Sequence, residues 1–389
     1  MPFDPESFVT ERVRAIDASG IRRVFDLAAD LEDPINLSIG QPHFDVPEAV
    51  KEEAIAAIRK GFNRYTVTQG TRELKERVAE SLSGELPNWD APLRDGDNEI
   101  LVTSGVSGGL LLALLTCAGP GDEVLLPDPY FVMYRHLVTL TGATAVYVDT
   151  YPDFQLTAER VAPLITPRTR MLLFSSPSNP TGVVVTDASC HALAELAEAH
   201  GLLLVSDEIY DEFCYEKVPR ASGAMHAPSP AAYGSQLLLL RGFSKTYAMT
   251  GWRLGYAAGP RPIVDQMTKL QQYTFVCAPS MAQLGGVVAL DQDMSGMVEQ
   301  YRIRRDRVIE RLSGAYQVTR PGGAFYAFPE VPPHLGLTAS RFVEQAVQRG
   351  LLIIPGSVFS NRDTHFRISY ACDDEMLEKG LAVLVELAT

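Results

Sequence analysis

The sequence predicts an α/β fold in which a large domain carries a mainly parallel seven-stranded sheet between helices, joined to a small α+β domain. Three observations support this. Short apolar runs alternate with longer stretches of helical periodicity, the mark of parallel strands connected by helices. Several of those runs are apolar at every position, as strands covered on both faces are. After about Ala289 the pattern changes to a long charged helix followed by shorter strands.

Taken in order, the candidate strands of the large sheet run approximately from Glu99 to Thr103, Glu123 to Pro127, Ala145 to Asp149, Arg170 to Ser175, Leu202 to Ser206, Gln236 to Arg241 and Leu254 to Ala258. Helical stretches lie between most of them, at 108–117, 130–141, 157–165 and 187–200. Beyond Ala289, YRIRRDRVIERL marks a helix from Val298 to Leu312, and short strands are expected around Ala315–Val318, Ala324–Phe328, Leu351–Ile354 and His365–Tyr370. No Gly/Ser-rich linker separates the two parts, so a helix is expected to cross the boundary and the domains to pack together. The division is a large domain over 48–290 and a small one assembled from 1–47 with 291–389.

Composition narrows the function. The 48 Asp and Glu against 34 Lys and Arg give a net charge of −14, which disfavours nucleic acid and anionic membranes and points to a small-molecule partner. Five cysteines, odd in number and without a C-x-x-C pair, suggest neither a disulfide framework nor a metal site, and fit a reducing cytoplasm. Acidic residues precede any apolar stretch at the N-terminus, and no apolar run approaches the roughly 20 residues that span a bilayer. Neither secretion nor membrane insertion is therefore expected.

The residues able to do chemistry gather at strand ends, where open α/β sheets bind ligands. Ser104, Gly105, Gly108 and Gly109 lead from a strand into an apolar helix, a turn able to bind phosphate through backbone N–H groups or simply to reverse the chain. Its spacing is G-x-x-G-G, and Asp128 follows the next strand where a dinucleotide fold places a ribose-binding acid, so a nicotinamide enzyme stays open. Asp207 ends a strand with Tyr210 three residues on, as a catalytic acid or a helix cap. Lys245 follows another strand, either as a solvated surface charge or, among Phe243, Tyr247, Met249 and Trp252, as an amine whose pKa such surroundings can lower to make it nucleophilic. Asn179 begins the turn NPTG. Arg367 alternates with Phe366 and Ile368 in a strand and needs an anion, either a protein carboxylate or a substrate.

In type and order these segments resemble, over nearly the whole chain, the class I (fold type I) pyridoxal-phosphate aminotransferases, specifically the aspartate and aromatic branch. The most specific matches are Gly242-Phe243-Ser244-Lys245 with MTGWRLGY after it, NPTG at 179–182, SDEIY at 206–210 and FRISYA at 366–371. LSIGQPHFDVPE at 37–48, YTVTQGTRELKERVA at 65–79 and PGDEVLLPDPYFVMY at 120–134 add to them.

The resemblance implies a role for each residue. Lys245 would form the Schiff base with pyridoxal 5'-phosphate and shuttle the proton. Asp207 would pair with the pyridine nitrogen, Tyr210 and Asn179 would bond the ring's phenolic oxygen, and Phe131 would stack on the ring. The helix start at Gly105, Val106 and Ser107, with Ser244 and Arg253, would hold the phosphate, joined by Tyr65 of a second subunit, which implies a homodimer with shared active sites. Arg367, assisted by backbone at Gly40, would grip the α-carboxylate of the amino acid or 2-oxo acid.

Two departures bear on substrate. Some aspartate-using relatives carry a lysine where Ser107 stands, and His43 replaces a more usual acidic residue. Phe44, Tyr65, Phe131 and Tyr326 suit an aromatic or large apolar substrate side chain, as they suit core packing. The expected activity is ping-pong transamination. The same lysine and aspartate would serve a fold type I lyase or synthase working by β-elimination; a nicotinamide dehydrogenase and a cofactor-sensing DNA-binding regulator fit less well.

Overall fold

The computed structural model describes residues 3–389 except 19, 21–23, 25–30 and 220–222. Its strands are β1 (Ile35–Asn36), β2 (Asn98–Ser104), β3 (Glu123–Asp128), β4 (Thr144–Asp149), β5 (Thr169–Ser175), β6 (Leu203–Asp207), β7 (Val218–Pro219), β8 (Met225–His226), β9 (Leu238–Gly242), β10 (Leu254–Pro260), β11 (Tyr326–Ala327), β12 (Leu351–Leu352), β13 (Ile354–Pro355) and β14 (Phe366–Ser369). All seven strands expected for the large sheet form it, in the order β2-β10-β9-β6-β5-β3-β4. Most of their apolar positions are buried, as two-sided coverage requires, while those of the edge strand β4 are mainly half-buried.

Six strands of the large sheet share one direction; β10 runs against both of its neighbours. This reversal matters for function. Leu254 pairs with Ser104 and Gly255 with Gly242, so the start of β10 lies at the edge where β2 and β9 end. Arg253, immediately before β10, thereby joins the residues that follow the parallel strands.

The helix Gly105–Cys117 leaves β2 and is apolar nearly all round, because it is sandwiched between the sheet and the helix Arg261–Gln272. Its first turn lies so close to the sheet that a Cβ at Gly255 would come within 2.8 Å of the Gly105 and Val106 backbone. On the same edge, Arg241 of β9 is buried against Glu85 (2.5 and 2.9 Å) and Glu208 (2.8 Å), with Asp211 at 3.3 Å. Burial pushes the Asp211 carboxyl up to about 7 against the pull of Arg241. This cluster ties together the ends of β6 and β9.

The second layer is the antiparallel sheet β11-β14-β13, with β12 paired to β1. The helices Ser295–Leu312, Ala339–Gln348 and Asp374–Leu387 complete it. Direct bonds join it to the large sheet: Tyr130 N donates to Phe359 O (2.8 Å), Gly323 N to Gly182 O (2.9 Å) and Ala324 N to Phe213 O (2.9 Å).

Four expectations are corrected. Ala315–Val318 is not a strand: the Ala315 and Tyr316 amides turn back to Leu312 O, and the Tyr316 ring packs on Phe342 and Phe366. Leu351–Ile354 is not one strand but two short ones, since β12 pairs with β1 and β13 with β14. No single helix crosses the boundary near Ala289; Ser280–Ala289 ends there and a new helix starts at Ser295. Within 157–165, an α-helical turn at Ala158–Val161 gives way to 3-10 geometry over Ala162–Leu164, where Pro163 lacks an N–H.

Gly255→Ala should overpack the contact between β10 and the helix start and lower stability by about 1–3 kcal/mol in urea unfolding. An unchanged midpoint would mean that the two backbones are not in close contact.

Candidate active site

A cleft of about 350 Å³ opens where β2, β5, β6 and β9 end and β10 begins. Asp207, the last residue of β6, lies buried on its floor. The Tyr134 hydroxyl donates to Asp207 Oδ2 (2.8 Å) and the Ile209 amide to Oδ1 (3.3 Å). Burial pushes the carboxyl up to about 6, while the tyrosine bond, the amide and Lys245 act to keep it ionised. Phe131, three residues before Tyr134, meets that ring edge-on at 5.6 Å and lines the cleft.

Lys245 extends from the turn after β9 and donates from Nζ to Gly40 O at 2.6 Å. Burial lowers its pKa to about 8, reinforced by Arg367 and Arg253 and opposed by Asp207. Uncharged amine is therefore abundant at mildly alkaline pH, whereas an exposed lysine would remain protonated. The Tyr210 ring lies 5.8 Å from Nζ, and its buried hydroxyl is 2.9 Å from that of Tyr326.

At one end of the cleft is a helix start. Gly105 begins its helix at φ +67°, and Ser104 offers no side-chain cap to the first N–H groups, which lie at the positive end of the helix dipole. Val106, Ser107 and Ser244 line the same end. Arg253, itself left-handed at φ +54°, brings its guanidinium so near that a Cβ on Gly105 would lie 2.7 Å from Nη2. The left-handed conformation there favours a glycine.

At the other end Arg367 is buried in β14. Nη1 donates to Asn179 Oδ1 (3.0 Å) and Nη2 to Ser38 O (2.7 Å), while Nε has no partner. Its guanidinium lies between the rings of Tyr326 (4.6 Å) and Phe359 (4.8 Å). Both hydrogen-bond partners are neutral oxygens. Among the described residues no carboxylate compensates its charge, which leaves the place of an anion to a ligand.

The matching family model is that of the class I and II aminotransferases, over residues 32–384. The chain belongs to this family. It is similar to the aspartate aminotransferase of Pyrococcus abyssi, at 36% identity over 96% of each chain, and equally to an aromatic-amino-acid aminotransferase of Thermococcus litoralis, also 36% over 96% of each. A solved variant of the Thermus thermophilus aspartate aminotransferase superposes with a TM-score of 0.89 at 35% identity, covering 97% of this chain and 99% of that one.

Of the site residues expected from sequence, this aminotransferase brings Gly40, Val106, Ser107, Phe131, Asn179, Asp207, Tyr210, Ser244, Lys245, Arg253 and Arg367 to one cleft, with Gly105 against Arg253. Tyr65 is not among them. It is 83% exposed and sits in a separate surface depression beside Arg64 and Arg72. Asp128, the acid of the nicotinamide alternative, is also elsewhere: Oδ2 accepts from Asn361 N (3.2 Å) where the two sheets meet.

Sequence reading missed Tyr134 and the carbonyl of Ser38. Phe131 stands in the turn that leads into the helix Met133–Thr141, where the Tyr134 amide donates to Phe131 O (2.9 Å), and this three-residue spacing was the available sign for the first. Backbone acceptors such as the second carry no side-chain signal.

Tyr134→Phe should raise the Asp207 pKa above about 6, because the hydroxyl bond favours the ionised form. A charged hydrogen bond worth about 1.5–3 kcal/mol corresponds to roughly one to two pH units. Carbon-13 NMR titration of the aspartate carboxyls in cofactor-free protein reads this, and an unmoved Asp207 titration would remove Tyr134 from the role.

Proposed function

We propose that this aminotransferase binds pyridoxal 5'-phosphate in the cleft and transfers the amino group of an amino acid to a 2-oxo acid in two half-reactions. The observation that carries the reading is one cleft containing a buried carboxyl, an amine of lowered pKa, a helix start beside Arg253 and the uncompensated Arg367. The donor set fits the cofactor. Asp207 suits a protonated ring nitrogen, Lys245 an aldehyde, and the helix start with Ser244 and Arg253 a phosphate.

Bound there, pyridoxal 5'-phosphate supplies a carbonyl for amine condensation and a ring that accepts electrons from the substrate Cα. Asp207 keeps the proton on the pyridine nitrogen. Tyr210 and Asn179 would hydrogen-bond the phenolic oxygen, and Phe131 would stack on the ring. Lys245 Nζ, near neutrality because of its surroundings, takes the proton from the substrate Cα and later returns it. Arg367 binds the α-carboxylate, with the Gly40 backbone beside it in the same cleft.

The side chains this subunit contributes favour a neutral substrate side chain. Lys245, Arg253 and Arg367 are the cations lining the cleft, and each has a task already; Ser107, Ile39, Leu110, Ile209 and Tyr326 offer no charge to a second carboxylate. Of the activities named for the two relatives, the aromatic one suits this lining better.

The reading includes a homodimer with shared sites. Phe62, Tyr65 and Val67 are exposed on a segment that Ser280 and Gln283 bind, and Tyr273, Phe275 and Val276 are exposed nearby. A second copy would cover this apolar surface and receive Tyr65 at its phosphate. A cytoplasmic setting suits the five free cysteines. The proposed division is 48–290 and 1–47 with 291–389; the seven strands of the large sheet lie in the first part, and β1 pairs with β12 of the second in a two-stranded sheet of its own.

Borohydride reduction of cofactor-loaded protein should fix the cofactor on Lys245, and Lys245→Ala should abolish turnover while still binding it. Near-normal turnover in that variant would overturn the assignment. Substrate should convert bound cofactor to its amine form in a single turnover; pyruvate and ammonia released without an acceptor would instead identify β-elimination.

Arg367→Ala should raise the KM for amino and 2-oxo acids more than it changes kcat. Losing a charge-assisted pair of about 1.5–3 kcal/mol predicts roughly a 10- to 150-fold loss. Steady-state kinetics with both substrates tests this, and an unchanged KM would place the carboxylate elsewhere.

A further inference from the structure

Ser38 to His43 forms a strap across the cleft mouth. Two of its carbonyls reach the charged residues within: Ser38 O accepts from Arg367 Nη2 (2.7 Å) and Gly40 O from Lys245 Nζ (2.6 Å). The strap also rests on Tyr326, whose hydroxyl would be 2.6 Å from a Cβ at Gly40. Its upstream end is fixed by backbone bonds, Leu37 N to Leu352 O (3.0 Å) and Ser369 N to Leu37 O (2.7 Å).

The downstream end is fixed by His43, which does not line the cleft. Its amide donates to the Tyr301 hydroxyl at 3.0 Å, and ring Nδ1 lies 2.7 Å from the same oxygen. Arg304 Nη1 lies 2.9 Å from Nε2 and 3.2 Å from Nδ1, while Arg304 Nε donates to Asp374 Oδ1 at 2.8 Å. A guanidinium can only donate, so the imidazole accepts from Arg304, while Nδ1 and the Tyr301 hydroxyl share a second hydrogen bond. Tyr301 is itself immobilised, fully buried against Phe213 and Phe325, and Arg304 is buried in the same helix. An exposed histidine is thus clasped by two buried anchors.

We propose that His43 is a positioning residue: with Tyr301 and Arg304 it clamps the strap, holds the Ser38 carbonyl on Arg367, and so sets the affinity for the substrate carboxylate without touching substrate. This rests on the reading of Arg367 as the carboxylate site. A loosened strap lets the guanidinium leave its orientation, which weakens ground and transition states alike and therefore acts on KM.

The test compares His43→Ala, His43→Asn and Tyr301→Phe as cofactor-loaded enzymes. His43→Ala and Tyr301→Phe should raise both the KM for the amino acid and the calorimetric Kd of 3-phenylpropionate three- to tenfold, with kcat and cofactor affinity within twofold. His43→Asn, which can still donate and accept, should stay within twofold of wild type throughout. Tyr301→Phe keeps the buried ring and carries the test should His43→Ala fail to fold. Unchanged KM and Kd in both disrupting variants, or a parallel fall in kcat and cofactor affinity, would overturn the proposal while leaving transamination intact. A wild-type enzyme that binds no monocarboxylate would overturn the Arg367 reading and this proposal together.

Discussion

The charges in the cleft are held by neutral partners rather than by one another. Asp207 rests on a tyrosine hydroxyl and an amide, Lys245 on a carbonyl, and Arg367 on a carbonyl and an amide oxygen. Had Asp207 and Lys245 formed a tight ion pair, each would have been stabilised in its charged form and neither would be free for another group. Separated and desolvated, their pKa values move toward each other, to about 6 and about 8. Buried charge without a counter-ion is unfavourable, and the surrounding structure must offset it.

The large sheet supplies much of that support. Strand ends bring Asp207 and Lys245 to one cleft, while the next side chain, Glu208, goes to the opposite face and into the Arg241 cluster. There the opposite arrangement holds: Arg241 is paired directly with buried carboxylates. Adjacent residues of one segment thus serve stability and chemistry, separated by the strand's pleat.

Much of this was legible in the sequence because burial on both faces leaves long apolar runs, and because ligand sites of such sheets follow strand ends. Lys245 and Asp207 could be located on those grounds, and Arg253 only through the resemblance to the family. Short strands were less legible. Residues 315–318 have the apolar pattern of a strand, yet the chain there finishes a helix and fills a gap with Tyr316, a choice made by distant Phe342 and Phe366. Tyr134 and His43 act through partners remote in sequence, and the Ser38 and Gly40 carbonyls through backbone alone. Tyr65 lies outside the cleft of its own chain, so a single subunit gives it no local task.

The reversed direction of β10 has a consequence for assembly. Gly105, after the edge strand β2, and Arg253, before β10, belong to two segments far apart in the chain that meet only when those strands pair. Their juxtaposition therefore does not exist in any locally folded piece. It is a high-contact-order feature, completed when the sheet's edge closes. A ligand that needs both residues will bind the closed sheet in preference to earlier states and stabilise it by mass action. Occupancy of the site then reports on completion of the fold as well as readiness for chemistry.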